Sequence, residues 1–312
     1  MKDNNYSKKY FKIPVVVIIF NRPDKTKILY ESLKYYKPSK LLIISDGPRN
    51  SFKDEKEKVA QSRKVFEKID WECEVLFNIS ETNLGCRERI ISGLNWVFDR
   101  EEKAIILEDD CIPSEEFFTF MELMLRKYQA NKKISSVCGT NFLPDWSKTK
   151  DSYLYSKYCH VWGWGTWKDR WEKIDFNLDR LDEIKKTKFL KGYLGTFRAY
   201  LYWHWIFNSV KKKKIDSWAY IWNFTNFINK SISIIPVTNL LSNIGIGKDS
   251  SHTRSLPYKY ITAQESKKKL QFPLKYPSNL LLDSEYDFKV EDTIFSKSIY
   301  NRFLWIIRKL IK

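Results

Sequence analysis

The chain has 312 residues, 43% hydrophobic and 16% aromatic, and its 55 Lys and Arg against 38 Asp and Glu leave a formal net charge of +17. That is room for one large α/β domain or two smaller ones, with a globular composition that excludes disordered and fibrous classes. The positive excess suits anionic lipid or a phosphorylated small molecule; nucleic acid is not expected, because no recognition helix, RNP motif or zinc finger accompanies the diffuse charge.

The first residues, MKDNNYSKKYFK, are polar and lack the apolar middle of a signal peptide. No stretch approaches the roughly 20 apolar residues that span a bilayer. A cytoplasmic location is the expectation.

From there short apolar runs alternate with helical patterns. Strands are predicted over residues 14–20, 41–45, 73–79, 104–107 and 134–138. Between them Leu29, Leu33 and Tyr36, then Val59, Phe66 and Ile69, then Ile90, Leu94 and Val97 recur at helical spacing, and Phe117, Met121, Met124 and Tyr128 do so after the fourth strand. This repetition predicts an α/β fold with a mostly parallel sheet between helices. In such a sheet ligands collect beyond the carboxyl ends of the strands. The residues there are Asn21-Arg22-Pro23, Asp46-Gly47-Pro48-Arg49, residues 80–87 and the triplet Glu108-Asp109-Asp110.

From about residue 145 the texture changes to Trp, Tyr and Lys, which predicts a second lobe on the same core. The tail IFSKSIYNRFLWIIRKLIK, residues 294–312, places Ile299, Phe303 and Leu310 on one helical face, with five Lys and Arg and no acid. A basic amphipathic helix of this kind suits an anionic membrane surface, docking on the protein's own core, or an oligomer contact.

No GxGxxG, GxxxxGK[ST] or GxSxG occurs, so neither a dinucleotide site, a P-loop nor a nucleophile elbow is indicated. Five cysteines without CxxC spacing are expected to be reduced core residues. The three histidines have no zinc-binding spacing.

The acid triplet in ILEDDCIPSEEFF remains. Three adjacent carboxylates repel one another unless a cation or hydrogen-bond donors compensate them. Mg²⁺ needs only one or two protein carboxylates when phosphates and water complete its shell. Strand alternation groups Glu108 with Asp110 and turns Asp109 away, which makes Asp110 the first choice as ligand. The structural alternative is a strand end followed by a helix capped by Ser114.

The series VVVIIFNRP, LLIISDGPR, NLGCRERI, IILEDDCIPSEEFFTFMELMLRKY, SKYCHVWGWGTWKDRW, IDSWAYIW and NLLSNIGIGKDSSHT resembles bacterial glycosyltransferases of the GT-A fold. It is similar, more distantly, to animal N-acetylglucosaminyltransferase I. The resemblance covers residues 13–253 and is most specific through the acids.

It implies a GT-A, Rossmann-like domain over residues 1–254, with a nucleotide-sugar-binding half at about 12–140, an acceptor half at 141–254, and a C-terminal extension at 255–312. It implies an enzyme moving a sugar from a nucleoside diphosphate sugar, UDP favoured, to a glycan or lipid-linked acceptor, with inversion, and with Mn²⁺ or Mg²⁺ on the donor diphosphate. Its site residues fall here on Phe20, Asn21, Arg22, Asp46, Asn83, Arg87, Glu108 and Asp109 for the nucleotide sugar, with Arg89 an equal candidate to Arg87. Asp110 and His252 fall on the metal, and Asp216 on the general base. Here Ser217 stands where the animal enzyme has a second acid before its Trp. Trp162 and Trp164 offer flat partners for sugar faces, and Asp249 orients His252 or meets the acceptor. Asp46 as an Asx turn, Asp216 as a helix N-cap and His252 as an exposed loop residue are the alternatives. Rival functions are a sugar-phosphate nucleotidyltransferase, for which a glycine-rich N-terminal loop is missing, and a non-catalytic binding module.

Overall fold

A computed structural model of the protein describes residues 11–144, 146, 148–245 and 268–295. The first apolar runs form β1 (Val15–Ile19), β2 (Lys40–Ser45), β3 (Glu74–Ile79) and β4 (Lys103–Glu108), with α1 (Pro23–Tyr36), α2 (Glu55–Lys64) and α3 (Gly85–Phe98) between them. Next come β5 (Cys111–Pro113), α4 (Phe117–Lys127) and β6 (Ile134–Cys138). The Trp-rich half adds β7 (Tyr153–Ser156), β8 (Trp164–Trp167), α5 (Lys168–Trp171), α6 (Leu181–Lys186), α7 (Phe189–Leu194), α8 (Phe197–Lys211), α9 (Trp218–Ile228), β9 (Ile232–Pro236) and β10 (Leu241–Asn243). Helix α10 (Ser284–Val290) and a π-helical turn, Glu291–Phe295, complete the described elements.

Eight strands make one sheet in the order β3-β2-β1-β4-β8-β6-β9-β7, and β10 pairs with β5. The expected α/β architecture is present: β1 runs parallel to β2 and β4, β2 to β3, and β6 to β9. The Trp-rich half does not stand apart. It inserts β8 antiparallel between β4 and β6 and lays β7 antiparallel along β9, so the sheet is mixed.

Side-chain alternation sorts the central strands onto two cores. Val16, Leu42, Ile44, Ala104 and Ile106 face α3, α8 and α9 through Ile90, Leu94, Trp203, Phe207 and Trp222. Val15, Val17, Leu41, Ile43, Ile105 and Leu107 face α1 and α4 through Leu29, Leu33, Phe117, Met121 and Met124. The strands are apolar on both faces because both faces are covered.

Residues 268–295 fasten to the second half. Lys275 N–H donates to Ser152 Oγ at 2.8 Å and Asp283 N–H to Tyr155 O at 2.8 Å. Asp287 accepts from Ser156 Oγ at 2.5 Å, and Glu291 from Tyr158 Oη at 2.7 Å and Trp203 Nε1 at 3.0 Å. Both acids are buried, and burial raises the pKa of each, that of Asp287 to about 6. The tail beyond Phe295, with Ile299, Phe303 and Leu310, lies outside the described residues. No described helix is long and apolar enough to cross a membrane.

Candidate functional site

The chain makes β1, builds β2 and β3 outward on one side, and returns to β4 on the other. Loops leaving β1 and β4 therefore diverge, and the crevice outside these carboxyl ends is where open α/β sheets bind ligands. Arg22, which follows β1, meets the acids that follow β4 across this crevice. Its Nη1 lies 2.6 Å from Asp110 Oδ2 and 3.3 Å from Asp109 Oδ1.

Strand alternation had predicted Asp109 to point away from its neighbours. Instead β4 ends at Glu108 and the chain turns at Asp109 and Asp110 before β5, so the two aspartates share one guanidinium nitrogen. Ser114 also departs from expectation: its Oγ donates to Glu116 Oε2 at 2.9 Å, and α4 starts at Phe117 without a side-chain cap.

One arginine does not neutralise three acids. Burial, then the charges of Asp110 and Asp109, push Glu108 up to about 8. Burial, then Asp110, push Asp109 up to about 7. Burial works against the charge on Arg22, but Asp109 and Asp110 outweigh it and raise its pKa.

Hard carboxylate oxygens with uncompensated charge fit Mg²⁺ or Mn²⁺, and a bound cation would reverse these shifts. Among the described residues no three His, Cys, Asp or Glu are grouped to hold a metal unaided. A cation here would need phosphate oxygens or water to complete its shell.

The far wall of the acid site was not foreseen. Strand β10 pairs with β5, setting Asn243 against Cys111, and Ile244 N–H donates to Asp110 O at 2.8 Å. Asn243 Nδ2 reaches Asp110 Oδ1 at 3.5 Å. A Cβ on Gly245 would overlap the Asp110 carboxylate, so only glycine allows this approach. The glycines of NIGIG were the one available signal. Asp249 and His252, farther along this segment, lie outside the described residues.

Asp46, after β2, is more than an Asx turn. Its Oδ1 accepts from Gly47 N at 2.9 Å and Leu84 N at 3.0 Å, and its Oδ2 from Asn83 Nδ2 at 3.0 Å and Gly85 N at 3.1 Å. Asp216 continues the pattern on the next two amides, accepting from Cys86 N at 3.0 Å and Arg87 N at 3.1 Å. The opening amides of α3, which a helix cannot satisfy internally, are thus held by two carboxylates from distant segments. Gly85 enters the helix at φ +82°, the left-handed region that glycine tolerates. The Cys86 thiol marks the convergence: burial first, then the charges of Glu108, Asp216 and Asp46, raise its pKa. Asp216 caps a helix, as one alternative had it, but that helix is α3 and not the α9 that follows it.

Neither arginine of NLGCRERI turns its guanidinium to the crevice. Arg87 donates to Phe176 O at 2.7 Å and Val210 O at 3.4 Å, and buried Arg89 to Asn78 O at 2.6 Å and Ser45 O at 3.2 Å. On the opposite wall, Asn21 Nδ2 donates to buried Glu55 at 2.8 Å. Glu55 also binds Arg49, whose guanidinium lies 4.0 Å from the Phe52 ring centroid and 5.5 Å from that of Phe20. Phe52 and Glu55 sit in a Lys-rich run that gave no hint of this.

The indoles divide. Trp164 lies in the central strand β8, fully buried and stacked on Trp218 at 5.5 Å, so protein covers both its faces. Trp162 is half-buried, edge-on to Phe142 at 5.2 Å.

No protein-family profile matches the chain, and no curated protein matches it. Among solved structures, it is similar to a UDP-glucose pyrophosphorylase complexed with UDP-glucose, at 10% identity and a TM-score of 0.31, over 52% of this chain and 78% of that one. An apo UDP-glucose pyrophosphorylase matches at 11% identity and a TM-score of 0.29, over 51% and 79%. Superpositions this loose carry no inference about activity.

Proposed function

We propose that this protein is a metal-dependent, inverting glycosyltransferase of GT-A architecture, moving a sugar from a nucleoside diphosphate sugar, UDP favoured, to a glycan or lipid-linked precursor. The observation that carries the reading is Arg22 set against Asp109 and Asp110 in the crevice between β1 and β4.

Mn²⁺ or Mg²⁺, held by Asp110 with Asp109 beside it, would stabilise the charge that grows on the departing diphosphate. Glu108 adds negative potential behind this pair, and His252 completes the ligand set in the proposal. Arg22 already pairs with Asp109 and Asp110, and an arriving phosphate offers it a bidentate partner in exchange for a carboxylate. Phe20, Asn21 and the Arg49–Phe52 stack form the nucleotide wall, while Asp46 and Asn83 keep its neighbouring loop in shape.

Asp216, exposed and oriented by two amides, keeps lone pairs free to take the acceptor hydroxyl proton. Trp162 and Asp249 are assigned to the acceptor. Trp164 and Arg87 have no such role here, being turned into protein.

The test pairs binding with product analysis. Calorimetry with UDP should show affinity that depends on Mn²⁺ and is lost in Asp110→Ala. Incubation with UDP-sugars and an acceptor extract should release UDP. Formation of UTP and sugar 1-phosphate on adding pyrophosphate would instead establish a nucleotidyltransferase, and metal-independent UDP binding that survives Asp110→Ala would end the ligand assignment.

A further inference from the structure

Two of the cysteines meet. Cys138 closes β6 and Cys159 lies 21 residues further on, in the irregular segment between β7 and β8, with their sulfurs 3.9 Å apart. Both are buried free thiols. Among the described residues no other two cysteine sulfurs are hydrogen-bonded to each other.

The two sulfurs are not equivalent. His160 N–H donates to Cys138 Sγ at 3.3 Å, and burial raises the Cys138 pKa well above its ordinary value. Burial acts the same way on Cys159, but hydrogen bonds led by those of Cys138, Ser136 and Trp222 outweigh it and lower the pKa. The half-buried thiols go the other way: burial raises Cys73 to about 11 and raises Cys86 as well. The thiolate is the nucleophile toward oxidants. Cys159 is therefore favoured over Cys73 and Cys86, although these are closer to solvent, and its irregular segment opens more readily than a strand.

We propose that Cys138 and Cys159 form a peroxide-sensing dithiol, which closes to a disulfide and ties the segment leading to Trp162 to the end of β6. The Cys159 thiolate attacks one oxygen of hydrogen peroxide, the O–O bond breaks, and the released hydroxide takes a proton to become water. Cys138 Sγ then attacks the sulfenic acid on Cys159; the S–O bond breaks and the hydroxyl leaves as water with the Cys138 proton. Two thiols and one peroxide give one disulfide and two waters. The second step requires the sulfurs to close by roughly 2 Å, to an S–S length of about 2.05 Å. In a reducing compartment such disulfides are transient and sensing. Gly139 N–H, beside Cys138, donates to Gly163 O at 2.6 Å and Thr140 Oγ1 to Trp162 O at 2.7 Å, while Asn223 of α9 holds Cys159 N–H at 3.1 Å. Closing the pair therefore pulls on both Trp162 and α9. This thiol chemistry does not depend on the glycosyltransferase reading.

Thiol mapping of the full chain tests it without donor or acceptor. The reduced wild type is exposed to graded hydrogen peroxide, denatured, alkylated with N-ethylmaleimide and digested with trypsin, which separates the two cysteines at Lys148 and Lys157. Alkylated cysteines should fall by two from five. The Cys138 and Cys159 peptides should appear joined, two hydrogens lighter than their sum, and dithiothreitol should restore both thiols. Cys138→Ala should leave Cys159 as a sulfenic acid that dimedone traps, and Cys159→Ala should leave Cys138 unoxidised at the same peroxide dose. Circular dichroism checks both folds, and the wild-type map decides the matter if either variant fails to fold. Preferential oxidation of Cys73 or Cys86, a linkage between any other two cysteines, or five thiols persisting until the chain unfolds would overturn the proposal.

Discussion

Asp216 accepts the backbone N–H of Arg87 at 3.1 Å across 129 residues of sequence. Through this bond a segment of the second half closes the helix that starts at the crevice of the first. In Asp216→Asn one oxygen becomes an NH₂ that opposes an amide N–H. Urea unfolding should show a loss of about 1–2 kcal/mol, the scale of a lost cap. If Asp216 is also the base, kcat should fall about 10²–10⁴-fold with UDP affinity kept. A kcat close to wild type alongside the same stability loss would assign the residue to capping alone.

Gly245→Ala should act on Asp110 from behind. The added methyl occupies space held by the carboxylate, which must then swing away from Arg22. The overpacking should cost about 1–3 kcal/mol. UDP titration with Mn²⁺ should show affinity weakened by at least about tenfold, roughly 1.4 kcal/mol; an unaltered Kd would separate Asp110 from donor binding.

Metal should stabilise the folded chain before any substrate is present. Thermal melts with Mn²⁺ should shift upward, by mass action about 2.7 kcal/mol at a hundredfold excess over Kd. Asp110→Asn should abolish most of that shift. Arg22→Ala should do the reverse: the metal-free variant loses roughly 3–5 kcal/mol, because two buried carboxylates lose their partner, and its melt should respond to Mn²⁺ more than wild type. A shift that persists undiminished in Asp110→Asn removes that residue from the ligands.

His160 should control acid stability. It is buried against Phe142, with Nε2 3.2 Å from Tyr286 Oη and its backbone N–H on Cys138 Sγ, and burial lowers its pKa to about 3. The unfolded chain takes up a proton near pH 6.5, so the unfolded state binds more protons between 6.5 and 3, and stability falls with pH across that window. Relative to His160→Gln, the wild type should lose about 2 kcal/mol between pH 7 and pH 5. Parallel unfolding curves for the two proteins at both pH values would show that the imidazole is not kept neutral.

What could be read from the sequence was local. The five strand predictions and the helices between them rest on apolar runs and periodicity, and all five strands are present within a residue or two. The position of Arg22 and the acid triplet at strand ends followed from the same pattern. Non-local pairing was not legible: nothing in GWGTW announces that β8 would slip antiparallel between β4 and β6 and bury Trp164. Nor did strand alternation anticipate the turn at Asp109, since a period of two holds only while the chain stays extended. Asp46 and Asp216 were identifiable as polar residues at segment ends, but the amides they serve belong to α3, far away in the chain.

The insertion of β8 also bears on biosynthesis. As the ribosome delivers the chain, AIIL of β4 emerges with β1 on one side and nothing on the other until residues 164–167 have been made. An apolar strand with a bare edge is a template for pairing with another molecule. Slow translation between β4 and β8 should therefore lower soluble yield more than the same delay placed after Trp167.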